Sequence, residues 1–491
     1  MGSVHQGPVN RKGNERQVAR ADLARAVKRV VEAEMAADAT FADREVAALA
    51  AVDEAVRDYC ERELQKIADE HDDDLLINGV HCRRSHEPSR GLYHSLCGTL
   101  RVNRALYREV GVRNGPTYVA LELAAGLVEG ATPALAYSIA LDRALMHSRE
   151  IAESAAAKHR HFPSRTTIER IGLAIGQAAT EAAPSIERYL RPGEKVPAEA
   201  VGISVGLDRT SVPYEEEREE GAAPKTRRKT RKKPYERTPP APVDVNYRMD
   251  YVGTVSLVDV DSATLFGLKY FATHDQGPED IVKRMMADVR SMRRQQPNLN
   301  ISVVQDGAKE LWKLVRTALK EQLGIENQKE AVDRFHLSER LAKVLKVTVA
   351  DEEKRAEHLA KWEKELDEDD EAIDRIEQYI DEHAWLYGWD ARATLLDTQT
   401  YINNNKDRMR YVTLRAAGLP VGSGATEGSC KSLAGTRMKR SGQRWHHEGA
   451  GSVGELRAIH QSKRLPRFWR HLHRRYTAPV TPVQLMEERA A

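Results

Sequence analysis

Four short apolar runs decide what this chain can fold into, and two of them stop on an aspartate. VGISVGLD (201–208), Tyr251 to Val260 (YVGTVSLVDV), Thr264 to Ala272 (TLFGLKYFA) and ISVVQD (301–306) are rich in β-branched and aromatic residues and read as strands. Between the third and fourth, PEDIVKRMMADVRSMRRQ carries the apolar spacing of an amphipathic helix. Three consecutive strands, a helix and a further strand predict a mixed α/β sheet. Asp208 and Asp306 each close one of these runs, where a sheet presents ligands from its carboxyl edge. Asp259 and Asp261 also end a strand and are expected to be structural.

A third carboxylate stands more than a hundred residues on. In GLPVGSGATEGSCKSLAGTRMKRSGQRW (418–445), small residues give way to a helical pattern, and Glu427 sits at that junction. The positive end of the helix favours a carboxylate there. Lys431, Arg437, Lys439, Arg440 and Arg444 follow without a matching set of acids. Three carboxylates with no Cys or His among them are hard oxygen donors suited to Mg²⁺ or Mn²⁺. Two such ions about 3.5–4 Å apart activate a nucleophile and stabilise a leaving oxygen in phosphodiester chemistry.

With 491 residues the chain has room for two or three domains. Lys and Arg number 76 against 74 Asp and Glu, so net charge is uninformative and its distribution matters more. The acids gather in 351–382. Bases crowd the proline-rich loop KTRRKTRKKPYERTPPAP, whose Arg227, Arg228, Lys229, Arg231, Lys232 and Lys233 form an arm suited to backbone phosphates. Past Glu427, bases interleave with Trp445, Phe468, Trp469 and Tyr476, a pattern that suits nucleic acid, although Trp469 is expected in the core. His446 and His447 read as DNA-facing or surface residues rather than ligands. Cys60, Cys82, Cys97 and Cys430 have no CxxC spacing, which argues against a disulfide framework. Cys82, His86, His94 and Cys97 have the order of a zinc site, with ordinary packing the favoured reading. The polar N-terminus lacks a signal-peptide core, and no apolar stretch is long enough to span a bilayer, so a soluble protein of a reducing compartment is expected.

The chain divides by pattern into a helical region (1–76), a β segment (77–115) and a second helical region (116–195). In the last of these, Arg165 and Arg170 stand near the start of the second helix of a possible helix-turn-helix. The α/β core begins at 196–337, with the basic loop at 215–247. It is interrupted by helices at 338–410, where EEKRAEHLAKWEKELDEDDEAIDRIEQYIDEHAWLYGW reads as one long acidic helix. It resumes at 411–491 with the Glu427 helix and a basic tail.

Asp208 after VGISVGL, Asp306 in VVQDGAKELW and the block PVGSGATEGSCKSLAGTRMKRSGQRWHHEGA resemble the three catalytic blocks of bacterial insertion-sequence transposases of the Kra type, within the Mutator-like DDE transposases. DRFHLSERL resembles the family's D-x-x-H element, and RMRYVTLRAAGLPVGSG its approach to the glutamate. GTLRVNRALYRE looks like a zinc-ribbon segment stripped of most cysteines. The resemblance covers about residues 200–470 and departs where Arg209 follows Asp208 in place of the usual Gly. It implies a multidomain α/β protein with an RNase H-like catalytic core and an all-helical insertion, preceded by a mostly helical DNA-binding region. Asp208, Asp306 and Glu427 would hold two Mg²⁺ or Mn²⁺ ions, with Asp333 and His336 positioning groups beside them. The implied activity is cleavage and strand transfer at transposon ends by a homodimer or higher multimer in the bacterial nucleoid. The implied partners are double-stranded terminal inverted repeats and target DNA. The alternative is a catalytically silent DNA-binding descendant of such an enzyme.

Overall fold

The computed structural model describes residues 24–218, 243–306 and 308–483, leaving out 26, 30, 33, 34 and 37. The chain forms two compact units, one from residues up to Ile175 joined by those from His471 onward, the other spanning Gly176–Arg470. Arg227, Arg228, Lys229, Arg231, Lys232 and Lys233 lie outside the described residues. The architecture is mixed α/β, with three sheets and many helices among the described residues, none of them long and apolar enough to cross a membrane.

The first unit opens with the helix Phe41–Asp69, whose start is fixed by Thr40 and Asp43. The Thr40 hydroxyl accepts the Asp43 amide at 3.3 Å, and the Asp43 carboxylate accepts the Thr40 amide at 2.8 Å. Two hairpins follow. Strands β1 (Asp74–Ile77) and β2 (Val80–Arg84) turn on Asn78 and Gly79, both at positive φ (52° and 82°), the geometry an Asn-Gly step favours. Strands β3 (Ser89–Ser95) and β4 (Gly98–Arg104) form a separate two-stranded sheet within the β segment expected at 77–115. The first sheet adds β5 (Tyr107–Glu109) and β6 (Thr117–Tyr118) on one side. On its other side the C-terminal strand Val480–Pro482 pairs antiparallel with β1. The tail expected to complete the catalytic domain therefore belongs here from His471 on.

Cys82 packs in the core of the first sheet with Leu75 and Tyr107, whereas His94 lies on β3 of the second. Among the described residues Cys82, His86, His94 and Cys97 are not brought together as a ligand set, and His86 is exposed rather than packed. Three helices (Pro133–Leu145, Ser148–Ala157 and Arg165–Leu190) stand where a helix-turn-helix was sought. Ser164 caps the last by accepting the Thr167 amide at 3.3 Å. Arg165 pairs with Glu169 at 3.1 Å and Arg170 with Glu129 at 2.7 Å, so both guanidinium groups have acidic partners.

The second unit is built on one five-stranded sheet. Its strands are β7 (Gly202–Glu217), β8 (Val243–Val258), β9 (Thr264–Ala272), β10 (Asn300–Gln305) and β11 (Lys329–Val332), in the order β11-β10-β7-β8-β9. β8 runs antiparallel to its neighbours, and β10 and β11 run parallel to β7. The expected first strand was too short: β7 does not stop at Asp208 but pairs with β8 through Glu217. Its far half reads poorly as strand because Pro213 interrupts it, yet β10 borders β7 only as far as Val205, and beyond it the Trp445 backbone uses the Pro213 carbonyl and the Glu215 amide, so no proline N–H is needed.

One face of the sheet (Ile203, Val205, Leu207, Val255, Leu257) packs with Met285 and Val289 of the helix Glu279–Gln295 and with Trp312 and Val315 of the helix Lys309–Leu323. The helices Arg334–Thr348, Glu352–Glu368, Ala372–Ala384 and Trp389–Asn405 occupy the stretch expected to be helical. The single acidic helix expected there is two. The break falls at Asp369, whose carboxylate accepts the Glu371 amide at 2.9 Å, a short side chain competing for the backbone at the end of a helix.

A buried charge network ties the helices of this unit together. Arg284 lies between Glu187 and Glu455, at 2.7 Å from each. Arg464 bonds Asp288 and Glu194, both at 2.6 Å, and Arg191 reaches Asp288 at 3.1 Å. Tyr270 donates to Asp288 at 2.8 Å. Burial works against the charge on Arg284, but Glu187 and Glu455 more than offset it and hold the guanidinium protonated.

Candidate active site

The register of the parallel strands brings the first two acids together. Asn300 pairs with Gly202 and Val303 with Val205, and continuing that register past the strand end sets Asp306 beside Asp208. Asp208 Oδ1 accepts the Arg209 amide at 2.6 Å and Oδ2 accepts the Cys430 thiol at 3.6 Å. Asp306 Oδ1 accepts the Ala308 amide at 3.0 Å, and its carbonyl accepts the Trp312 indole N–H at 2.6 Å. Burial raises the pKa of Asp208, and the neighbouring charge of Asp306 raises it further against the pull of the Arg209 amide. Among the described residues neither aspartate has an ion-pair partner, although the adjoining Arg209 pairs with Glu310. Two adjoining carboxylates left without a cation form a donor set that a divalent ion would complete.

Arg209 does not intrude on that pair. Successive side chains leave a strand on opposite faces, and the Arg209 guanidinium binds Glu310 at 2.8 Å while Asp208 faces Cys430.

The helix that carries Glu427 packs against β7 beside Asp208 because that strand carries a glycine. The helix Gly424–Cys430 lies on the face that bears Gly206 and Asp208, and Thr426 and Thr254 share a hydrogen bond of 2.7 Å there. A Cβ at position 206 would stand 2.0 Å from Thr426 Oγ1, so only glycine lets this helix approach. Cys430, one turn beyond Glu427, responds to both sites: burial pushes its thiol well up, and Asp208 and Glu427 push it further. It therefore stays a neutral donor to Asp208. Sequence reasoning passed over Cys430, although its i+3 spacing from Glu427 places both on one helix face.

Asp333 fixes the second half of the site. It follows β11, is 1% exposed, and donates its amide to the Gln305 carbonyl at 3.0 Å. Its Oδ1 accepts the Phe335 and His336 amides at 2.7 and 3.0 Å, capping the helix that follows. Its Oδ2 accepts the Ser423 amide, and the Ser423 carbonyl in turn accepts the Glu427 amide at 2.9 Å. One carboxylate thus orients both His336 and the turn that presents Glu427. Nε2 of His336 lies 3.2 Å from Glu427 Oε1. Within this site it is Asp333, His336 and Glu427 whose ligand atoms close to within 4.8 Å of one another; Asp208, Asp306 and Glu427 form no such set. The hydrogen bonds of Asp333 suit positioning. In Asp333→Asn an amide N–H₂ would face the Ser423 N–H or the capped helix start, and the loss expected is about 1–3 kcal/mol of stability, read by urea denaturation. An unchanged midpoint would remove this positioning role.

The basic residues fare unequally. Lys431 is 80% exposed, 3.7 Å from Glu427 Oε2. Lys439 and Arg440 are exposed, with Lys439 donating to Thr210 at 2.6 Å, and Arg444 is exposed and lies 3.7 Å from Glu215. Arg437 corrects the expectation: it is 1% exposed, its guanidinium 5.0 Å from the centre of the Trp445 ring, and it faces the interior. Trp445 is likewise core, packed with Val212, Tyr214 and Met438, and its indole donates to the Met438 carbonyl at 3.0 Å. Phe468 is 1% exposed. These aromatics give the basic segment a packed base rather than a stacking surface for nucleobases. Asp259, as anticipated, is structural: its carboxylate accepts the Asp261 and Ala263 amides in the β8–β9 turn.

Comparison with known proteins adds no relative: no protein-family model matches the chain, and no curated protein matches its sequence.

Proposed function

We propose that this chain is a DDE transposase that cleaves DNA at the ends of an insertion sequence and joins the freed 3′ end to target DNA. The observation that carries the reading is the meeting of Asp208 and Asp306, in one register and without a counter-cation, under the helix that presents Glu427. An RNase H-like core is part of the proposal, supported by a five-stranded sheet whose first strand is central and whose second alone runs antiparallel. Two Mg²⁺ or Mn²⁺ ions held by Asp208, Asp306 and Glu427 would polarise the phosphodiester and lower the pKa of an attacking water or hydroxyl. The chain's own groups set that geometry. Asp333 holds the Glu427 turn and His336 in place, His336 steadies one Glu427 oxygen, and Cys430 steadies one Asp208 oxygen. Lys431, Lys439, Arg440 and Arg444 would receive the backbone phosphates of double-stranded DNA, both terminal repeats and target. A homodimer or higher multimer would hold two ends together in the nucleoid.

The test is an assay with the inverted repeats found in the DNA flanking the gene, Mg²⁺ and a target plasmid. Cleaved ends and joined products are the expected result. Cleavage without joining would leave a structure-specific nuclease, and binding without cleavage a silent DNA-binding descendant.

A further inference from the structure

A second cluster of metal-binding groups lies farther along the same hairpin. Glu216 follows Asp208 by eight residues on β7, about 26 Å along an extended strand. There it meets His274, two residues past β9, and His447, the first residue of the helix His447–Gln461. One ligand atom from each of the three lies within 4.8 Å of the others. The two imidazoles and the Tyr214 ring pack together, with centroids 4.8–4.9 Å apart.

The surroundings are those of a prepared histidine site. Buried Asp250 accepts the Tyr214 hydroxyl at 2.7 Å and the His274 amide at 2.9 Å, and its Oδ1 lies 3.3 Å from His274 Nδ1. A carboxylate on Nδ1 fixes the tautomer that leaves Nε2 free to ligate, the usual support behind a metal-bound histidine. Asp275 Oδ1 stands 3.3 Å from His447 Nδ1. Glu216 is held by two bonds from Arg248, at 2.8 and 2.7 Å, and one from Asn246 at 2.5 Å. A cavity of about 240 Å³, lined by His447, Asp275, Glu448 and Gln177, adjoins the cluster and gives an ion and a water a way in.

We propose that Glu216, His274 and His447 bind one zinc-class ion through Nε2 of His274, a ring nitrogen of His447 and a carboxylate oxygen, with the cavity side open to water. Two imidazoles and one carboxylate select Zn²⁺, or Co²⁺ in its place, over Mg²⁺. The ion would clamp the far end of the β7–β8 hairpin to the segment after Trp445, whose backbone already pairs with Pro213 and Glu215. This assignment does not depend on the transposase reading.

The test uses the full chain carrying Glu427→Gln, which removes a member of the other cluster, after dialysis against a chelator. Titration with Zn²⁺ is expected to show one tight site per chain, and Co²⁺ a visible ligand-field band. Adding His447→Gln should weaken Zn²⁺ at least about tenfold and abolish the band, with the circular dichroism unchanged. His274→Gln serves the same purpose should His447→Gln not fold. Equal affinity with and without these histidines, or no Zn²⁺ uptake up to about 1 mM, would overturn the proposal.

Discussion

On the proposed function, Asp208→Asn and Glu427→Gln are each expected to slow Mg²⁺-dependent strand cleavage by about 10³-fold or more, because each would remove a metal ligand and with it several kcal/mol of charge stabilisation. Duplex binding should change little, since the exposed cations Lys431, Lys439, Arg440 and Arg444, proposed to receive phosphates, are untouched. The two variants fail for related reasons. Asp208 adjoins Asp306 without a cation between them, so neutralising it relieves repulsion in the apoprotein while removing the ion's attachment. Asp208→Asn should therefore fold at least as well as the parent. Glu427→Gln keeps its helix, since Ser423 and Thr426 position the backbone, but gives His336 an amide in place of a carboxylate. Cleavage within about tenfold of the parent in either variant would exclude its carboxylate as an essential ligand. A gel assay of nicked end-sequence DNA, beside a filter-binding measurement, separates chemistry from affinity.

The second large effect concerns stability. Arg284→Met should cost about 3–5 kcal/mol, because buried Glu455 would lose its ion pair, while Glu187 would keep Arg191 and Arg464. In a unit of this size that lowers the melting temperature by on the order of 10 °C. Burial already raises the pKa of Glu455 even with Arg284 present. Without Arg284 that shift grows. A carboxyl whose folded-state pKa is raised binds its proton more tightly in the native state, so the variant should lose stability as pH rises from about 5 to 8 and regain it on acidification. Adding Glu455→Leu should recover part of the loss, since an apolar replacement leaves one fewer unpaired charge. A loss under about 1 kcal/mol at pH 7 would mean that the network is screened by water.

The sequence made the sheet and its two aspartates readable because strands buried against helices are nearly continuous apolar runs, and VGISVGL and ISVVQ are such runs. The far half of β7 was not readable. RTSVPYEEE contains a proline and three acids, and it is held as a strand by β8 on one side and by the distant Trp445 backbone on the other, a pairing that local pattern does not record. Asp369 stops a helix through a side-chain bond that periodicity does not record. Arg437 and Trp445 looked like a nucleic-acid surface because composition carries no direction; a cation buried over an indole has the same letters as one facing DNA. Asp333 was placed as a positioning group, and its bonds to the His336 and Ser423 amides fit that role. Gly206, which sets how close the Glu427 helix can come, gave no sign in the sequence, since one glycine in a strand has many causes.

The pairing of Val480–Pro482 with β1 has a consequence for synthesis. Some four hundred residues separate the partners, so a ribosome needs about 20–80 s between making one and the other. The unit from Gly176 to Arg470 is continuous and can fold on the nascent chain, whereas the outer rim of β1 waits, its amides and carbonyls open to any passing strand. Shielding that rim during translation falls to chaperones or to the speed of elongation.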